Sequence, residues 1–148
     1  MQIDFALLAD HAEVVAGKLY LMGGGWDLRQ APRAPARAQF AVALGVRVGW
    51  EETNLPIALR LVLEDDDGGA VLSLDGQLQV GRPPHVPAGT SQLAQAVVVI
   101  DAELPSYGGY RVVVSARLPS GAEDTRTLPF RLVTSGAGGF SPGGGPQG

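Results

Sequence analysis

Residues 93–118 read LAQAVVVIDAELPSYGGYRVVVSARL, and this stretch decides the fold class. Apolar residues recur at every second position in two sets: Ala94, Ala96, Val98, Ile100, Ala102 and Leu104, then Tyr110, Val112, Val114, Ala116 and Leu118. Because successive side chains of a strand point to opposite faces, this spacing predicts two half-buried strands. Pro105, Gly108 and Gly109 lie between the two sets and are typical of a turn. The stretch therefore predicts a long antiparallel hairpin, which other strands must cover.

The composition is that of one globular domain. The chain has 148 residues, of which 45% are hydrophobic and 18% charged, enough for a single two-layer core. Glycine (21 residues) and proline (11) are frequent, as expected for many short strands joined by turns. The absence of cysteine excludes disulfides and thiolate metal sites. The net charge of −4 argues against a nucleic-acid partner, because phosphate binding needs clustered Lys or Arg.

The amino-terminal residues do not resemble a secretory signal. Met1 leads directly into an alternating segment that carries Asp4. No apolar run approaches the roughly 20 residues that span a bilayer. The sequence therefore predicts a cytoplasmic protein with no membrane partner.

Six further segments with alternating or apolar patterns predict strands: residues 3–9, 18–26, 40–50, 57–63, 72–80 and 126–132. The clearest is 40–50, whose even-numbered residues we expect to be buried, as in 110–118. Arg47, Arg111 and Arg117 should reach solvent. About eight strands at this turn spacing predict an all-β fold, an antiparallel β-sandwich of immunoglobulin-like or jelly-roll-like type.

The domain limits follow from composition and from proline. Residues 1–134 form the predicted β-sandwich domain, and residues 135–148, rich in Gly, Ser and Pro, form a predicted flexible tail. Residues 30–37 are interpreted as a connection between the sheets. Pro129 removes a backbone donor, so the last strand should lie at a sheet edge.

The acidic turn of residues 64–69, Glu-Asp-Asp-Asp-Gly-Gly, is the one candidate metal site. Calcium prefers several carboxylate oxygens, but the spacing lacks the EF-hand alternation and its terminal Glu. Asp-Gly is also a common hairpin signal, and a solvated turn is the interpretation that we favour. We predict no metal site and no cofactor.

No arrangement of residues predicts catalysis. The glycines of residues 23–25 are followed neither by GK[ST] nor by a helix, so they do not form a phosphate loop. His11 and His85 lie in different predicted loops, and no GxSxG motif is present. The sequence therefore predicts a protein that is not an enzyme and has no catalytic residue.

The two tryptophans give the candidate binding site. Trp26 and Trp50 both follow glycine at predicted strand ends. The interpretation that we favour is that they fill the ends of the sandwich, as aromatic side chains often do. The alternative is an exposed aromatic contact surface at one rim, with Asn54, Arg82 and Tyr107 nearby.

Several short motifs occur in order along the chain: Leu8-Ala9-Asp10, GKLYLMGGGW at 17–26, Val48-Gly49-Trp50, Thr53-Asn54, GRPP at 81–84, Gly89-Thr90, and Pro105 with Gly108-Gly109-Tyr110. Together they resemble an uncharacterised family of small β-rich proteins from GC-rich bacteria. The resemblance covers most of residues 3–133. It implies a β-rich domain and carries no known activity or site residue.

These observations predict a non-enzymatic binding or assembly module whose partner is a second copy or another protein. The alternative is a structural component of a virion or particle, such as a decoration protein, and a third possibility is a metal-dependent ligand binder. Edge strands must be protected or used. The first strand has no proline and no inward charge, so we expect a homo-oligomer built on it, burying Phe5 or Leu8, or on the rim with Trp26 and Trp50.

Overall fold

The computed structural model describes residues 1–135. Its nine strands are β1 (Gln2–Val15), β2 (Lys18–Gly24), β3 (Leu28–Ala31), β4 (Ala36–Val48), β5 (Ile57–Asp65), β6 (Ala70–Leu78), β7 (Gln92–Leu104), β8 (Gly108–Arg117) and β9 (Glu123–Thr134). A single 3₁₀ turn, Trp50–Glu52, follows β4. No helix in this part of the chain is long and apolar enough to cross a bilayer. The predicted tail begins at Ser135 and otherwise lies outside the described residues.

The strands form two sheets, which confirms the all-β class. The four-stranded sheet has the order β2-β1-β4-β7, and the five-stranded sheet has the order β3-β9-β8-β5-β6. Every pairing is antiparallel except that of β3 with β9. One apolar cluster takes residues from both sheets, so the sheets pack face to face.

The predicted burial of β4 and β8 is confirmed for their alternating faces. Phe40, Val42, Leu44, Val46 and Val48 are buried, as are Tyr110, Val112, Val114, Ala116 and Leu118. Trp50 is only half-buried. Arg47 and Arg111 are half-buried in ion pairs, whereas Arg117 is exposed. The period of two thus identified the correct inward face of each strand.

The predicted hairpin of residues 93–118 is wrong as a pairing. β7 pairs with β4 in one sheet, whereas β8 lies between β5 and β9 in the other. Residues 105–107 therefore cross between the sheets instead of closing a hairpin. Alternation shows which face of a strand is buried, and that face is the same whichever strand is its neighbour.

The first and last strands are each only partly flanked by neighbours. β1 lies between β2 and β4 in the sheet order, but it pairs with β4 only as far as Ala9 and with β2 only from Ala9 onward. β9 is flanked by β3 over Arg131–Thr134, so only its earlier part, which contains Pro129, lacks a neighbour there. β3 itself falls mostly within the predicted connection of residues 30–37. Four residues are too short to show a period.

The hairpin of β1 and β2 folds back over the outer face of the four-stranded sheet; we call its residues 10–24 the flap. β1 pairs with β4 only as far as Ala9 and with β2 from there onward. Ala12 of the flap packs with Ala41 and Ala43, on the face of β4 opposite the main core. At the turn, the Gly17 carbonyl accepts a hydrogen bond of 2.8 Å from Gln95 Nε2 of β7. The flap therefore crosses β4 and reaches β7.

Strand registers define two ends of the stacked sheets. Gln2 of β1 and Gln92 of β7 lie beside Arg47 and Val48, the last residues of β4. We call this the Trp50 end, since the chain turns there at Trp50. The opposite end holds β3, the 64–69 turn and residues 105–107, and we call it the Trp26 end.

Candidate functional site

The five predicted binding residues separate into two groups. Trp50, Asn54 and Arg82 meet at the Trp50 end. Trp26 and Tyr107 lie at the Trp26 end, against the aromatic core and β3. The residues therefore do not form the single rim surface that was the alternative prediction.

At the Trp50 end, Arg82 clamps the loop after β6 onto the turn after β4. Its guanidinium lies 4.1 Å from the Trp50 ring centroid, a cation–π contact. Arg82 also donates to the Trp50 carbonyl at 2.8 Å and to Thr53 Oγ1 at 2.7 Å. Thr53 is buried, and its hydroxyl donates a hydrogen bond to the Trp50 carbonyl at 2.7 Å. These contacts hold the two loops together and use the polar groups within the fold.

Asn54 fixes the backbone of the same junction. Its φ is 61°, in the left-handed region that Asn tolerates better than most residues. Its N–H donates to the Val80 carbonyl at 2.6 Å, and its carbonyl accepts from Gln79 Nε2 at 3.3 Å. Asn54 thus stabilises the β6–β7 loop through its main chain.

Glu52 is a residue of this end that the sequence did not single out. Its carboxylate accepts from the Met1 ammonium at 2.7 Å and from the Gly49 N–H at 2.8 Å. Partial burial favours a higher pKa for Glu52, but the ammonium and the Gly49 hydrogen bond outweigh it and the pKa falls below its ordinary value. The carboxylate therefore fastens the start of β1 to the Trp50 turn.

Trp26 packs into the core of the opposite end. Its ring meets Phe40 and Phe130 edge to face, at centroid distances of 5.3 and 5.7 Å. The Arg29 guanidinium covers it at 4.9 Å. Within residues 1–135 the buried Nε1 has no hydrogen-bond acceptor. Tyr107 is tied separately, donating to the Ala31 carbonyl at 2.9 Å.

The acidic turn is occupied by its own hydrogen bonds. Asp65 Oδ1 accepts from the N–H groups of Asp67 and Gly69 at 2.9 and 2.8 Å. Asp66 Oδ2 accepts from the Gly109 N–H at 3.2 Å, and Glu64 pairs with an arginine of β8. Within residues 1–135 no group of three or more His, Asp or Glu side chains is placed to hold a metal ion.

The two histidines remain apart. His11, on the flap, borders a cavity of about 250 Å³ between the flap and the sheet, with Gln39 and Val99. His85 lies in the loop between β6 and β7. The two histidines are not hydrogen-bonded to each other, so they do not form a catalytic pair in this structure.

A latch between β1 and β9 protects β1 where β2 does not reach. Asp124 Oδ2 accepts from the Ile3 N–H at 2.7 Å, and Arg126 Nη2 donates to the Ile3 carbonyl at 2.5 Å. Asp124 and Arg126 also pair with each other at 2.9 Å. The pKa of Asp124 lies below its ordinary value, mainly because its carboxylate accepts the Ile3 hydrogen bond. Partial burial opposes this shift, and the Arg126 guanidinium adds to it.

The two sheets differ in the number of large apolar side chains that they leave exposed. Ten large apolar side chains are exposed in residues 1–135, and seven belong to β1, β2 and β7: Leu7, Val14, Val15, Tyr20, Met22, Leu93 and Val99. Ion pairs do not separate the two faces, because the five-stranded sheet carries Arg60–Asp75 and Arg111–Glu64 and the four-stranded sheet carries Arg37–Asp101 and Arg47–Asp4. Periodicity could not show this difference, because it appears only when the strands are assigned to sheets.

Leu8, proposed from the sequence as an interface residue, is not on this surface. It is buried in the main core, facing the five-stranded sheet. Phe5 is half-buried, and its ring lies over Gly45 on β4, where a side chain would collide with it. Leu8 is therefore not available to a partner, whereas an interface along residues 2–8 of β1, where β2 does not pair, stays a prediction.

The fold and surface define a class: a two-sheet all-β domain whose exposed large apolar side chains lie mostly on strands of the four-stranded sheet. The chain belongs to the family of unknown function DUF6941, whose model matches residues 4–128. Among solved structures, the X-ray structure of a Northeast Structural Genomics Consortium target, SoR45, is similar at 18% identity and a TM-score of 0.30, covering 76% of this chain and 84% of that chain. No match was found among curated proteins.

Proposed function

We propose that this chain is a non-enzymatic assembly module that self-associates through its four-stranded sheet. The observation that supports this most is the unequal exposure of apolar side chains between the two sheets. Contiguous exposed apolar patches with polar rims mark interaction sites in soluble proteins. We also infer that the scaffold is a β-sandwich, of the immunoglobulin-like or jelly-roll-like type predicted from the sequence.

The most exposed of these side chains lie on the flap and on β7. Met22 of β2 is 69% exposed and Val99 of β7 is 61% exposed. Leu7 of β1 and Leu93 of β7 add further apolar area on the same side. Burying such side chains against a partner contributes about 25 cal/mol per Å² removed from water, which opposes the entropic cost of association.

The charges of this side favour a second copy over a strongly charged partner. Arg37 pairs with Asp101 at 2.6 Å, and Arg47 pairs with Asp4 at 2.9 Å, so these four charges are compensated within the chain. Two identical surfaces of this kind meet without like-charge repulsion, as a symmetric interface requires. A nucleic acid or an acidic peptide would instead need unpaired cations.

The first experiment measures oligomeric state by light scattering across micromolar concentrations. The wild-type protein should be oligomeric, and Val99→Lys should weaken self-association at least tenfold, because a lysine there must be desolvated at the interface. Leu28→Lys is the matched control: Leu28 is 50% exposed on β3, in the other sheet, and its replacement should change nothing. A monomeric wild type, or equal effects of both variants, would contradict the proposal.

A further inference from the structure

β7 is an edge strand without the usual protection against pairing. In the described part of the chain its only strand pairing is with β4, and it is 13 residues long. It has no proline, and residues 93–100 carry no charge. Natural edge strands are usually short, charged or interrupted by proline, because unpaired N–H and C=O groups recruit other strands. The other edge strands β2, β3 and β6 have 7, 4 and 9 residues.

Symmetry restricts how two β7 strands can pair. In a two-fold dimer the antiparallel strands are related by an axis perpendicular to the sheet, so the two outer faces lie on the same side of the joined sheet. Directly opposite residues must then lie on the same face, and successive residues alternate faces. The axis therefore passes midway between one residue of β7 and the same residue of the partner, which lie opposite each other.

The exposed side chains of β7 indicate which residue lies at the two-fold axis. Leu93 and Val99 both lie on the outer face, six positions apart, and both are exposed. An axis through Ala96, midway between them, sets each Leu93 against the partner's Val99. It also sets Asp101 opposite Ser91, whereas an axis through Val97 would set Asp101 opposite Leu93.

We infer that two copies join β7 to β7, antiparallel, with the two-fold axis through Ala96. This inference rests on the proposed self-association and specifies its geometry. The two four-stranded sheets then form one sheet of eight strands, with both flaps on the same side. Each flap is already anchored on β7 through the hydrogen bond from Gln95 to Gly17, beside the junction. The unpaired backbone N–H and C=O groups of β7 gain hydrogen-bond partners, and each exposed Leu93 packs against the partner's Val99.

The absence of native cysteine allows a direct test of the register. In this dimer the opposite residues Leu93 and Val99 have Cα atoms about 4.5–5.5 Å apart, within disulfide range. The two Leu93 residues are separated by six positions, about 20 Å, and so are the two Val99 residues. Leu93→Cys and Val99→Cys are each purified reduced, then oxidised alone or after mixing and equilibration.

The mixed sample should form a disulfide-linked dimer at least tenfold more than either variant alone. A mixture of Leu28→Cys with Val99→Cys gives the collisional background, and thermal melts check that each variant is folded. If light scattering shows a dimer but the mixture does not exceed that background, or one variant cross-links to itself equally well, the β7 register is overturned and the proposed function stands. A wild-type monomer at high micromolar concentration overturns both.

Discussion

Replacing Asp124 by asparagine should lower the free energy of unfolding by about 1–2 kcal/mol at neutral pH. The carboxylate accepts the Ile3 N–H at 2.7 Å and the Arg126 guanidinium at 2.9 Å, and so joins β9 to β1. Asparagine has nearly the same shape and can still accept one of these hydrogen bonds. It lacks the negative charge that strengthens both.

The magnitude follows from the number of contacts and their exposure. A hydrogen bond to a charged group contributes about 1.5–3 kcal/mol when it is well shielded. The Asp124 side chain is 26% exposed, so solvent screening reduces the charge contribution. Asp124→Ala should cost more than the asparagine variant, because it leaves the Ile3 N–H and Arg126 without this acceptor.

The effect should depend on pH in one direction. The folded-state pKa of Asp124 is below its ordinary value of 3.8, so the carboxylate stabilises the folded state above that pH. As pH falls from about 3.8 through the folded-state pKa, wild type loses this contribution and the asparagine variant does not. The stability difference between the two proteins should therefore narrow only in strong acid.

Urea titrations followed by tryptophan fluorescence measure this difference, since the chain has two tryptophans. Asp75→Asn is the control: Asp75 also pairs with an arginine, at 3.0 Å, but both side chains are largely exposed, and little change is expected. The role of the latch would be refuted if wild type and Asp124→Asn had the same free energy of unfolding at pH 7. It would also be refuted if the difference between them stayed constant down to pH 2.

Three further predictions concern the core, the flap side and the acidic turn. Val114→Asp should unfold the domain or nearly so, because an unpaired buried carboxylate costs several kcal/mol against a total stability of about 5–15 kcal/mol, and an unchanged melting temperature would contradict this. Gly45→Ala should cost about 1–3 kcal/mol by displacing the Phe5 ring, and Phe5→Leu in the same chain should recover part of the loss if that collision is the cause. Millimolar calcium should not shift the melting temperature, because the carboxylates of residues 64–69 already accept hydrogen bonds, whereas a site at a hundredfold excess over Kd would add about 2.7 kcal/mol.

The sequence by itself determined the fold class and the inward faces of the strands. In β4 and β8 every second residue is large and apolar, and those residues form the core. This succeeds because the alternation of side chains is a local property of an extended chain, whatever lies beside it. The turn residues likewise placed most strand ends to within a few positions.

The candidate site was only partly predictable. Trp50, Asn54 and Arg82 were chosen from the sequence and do meet, although Trp50 and Arg82 are 32 positions apart. The sequence grouped these residues as one possible rim surface and gave no reason for their contacts. Glu52, which completes the junction, has nothing in its local sequence to distinguish it, and Thr53 appeared only as part of a short motif. Trp26 and Tyr107 carry similar local signals but lie at the other end.

Only the tertiary structure decided which strands are neighbours. The alternating pattern of residues 93–118 suits a hairpin and a crossover equally, because both bury the same face, and packing against β4 and β5 assigned β7 and β8 to different sheets. That assignment leaves β7 at an edge and places the flap over the outer face of its sheet. The exposed apolar residues of the four-stranded sheet have the same origin: none is distinctive within its own strand, and only the assignment of β1, β2 and β7 to one sheet brings them to the same part of the fold.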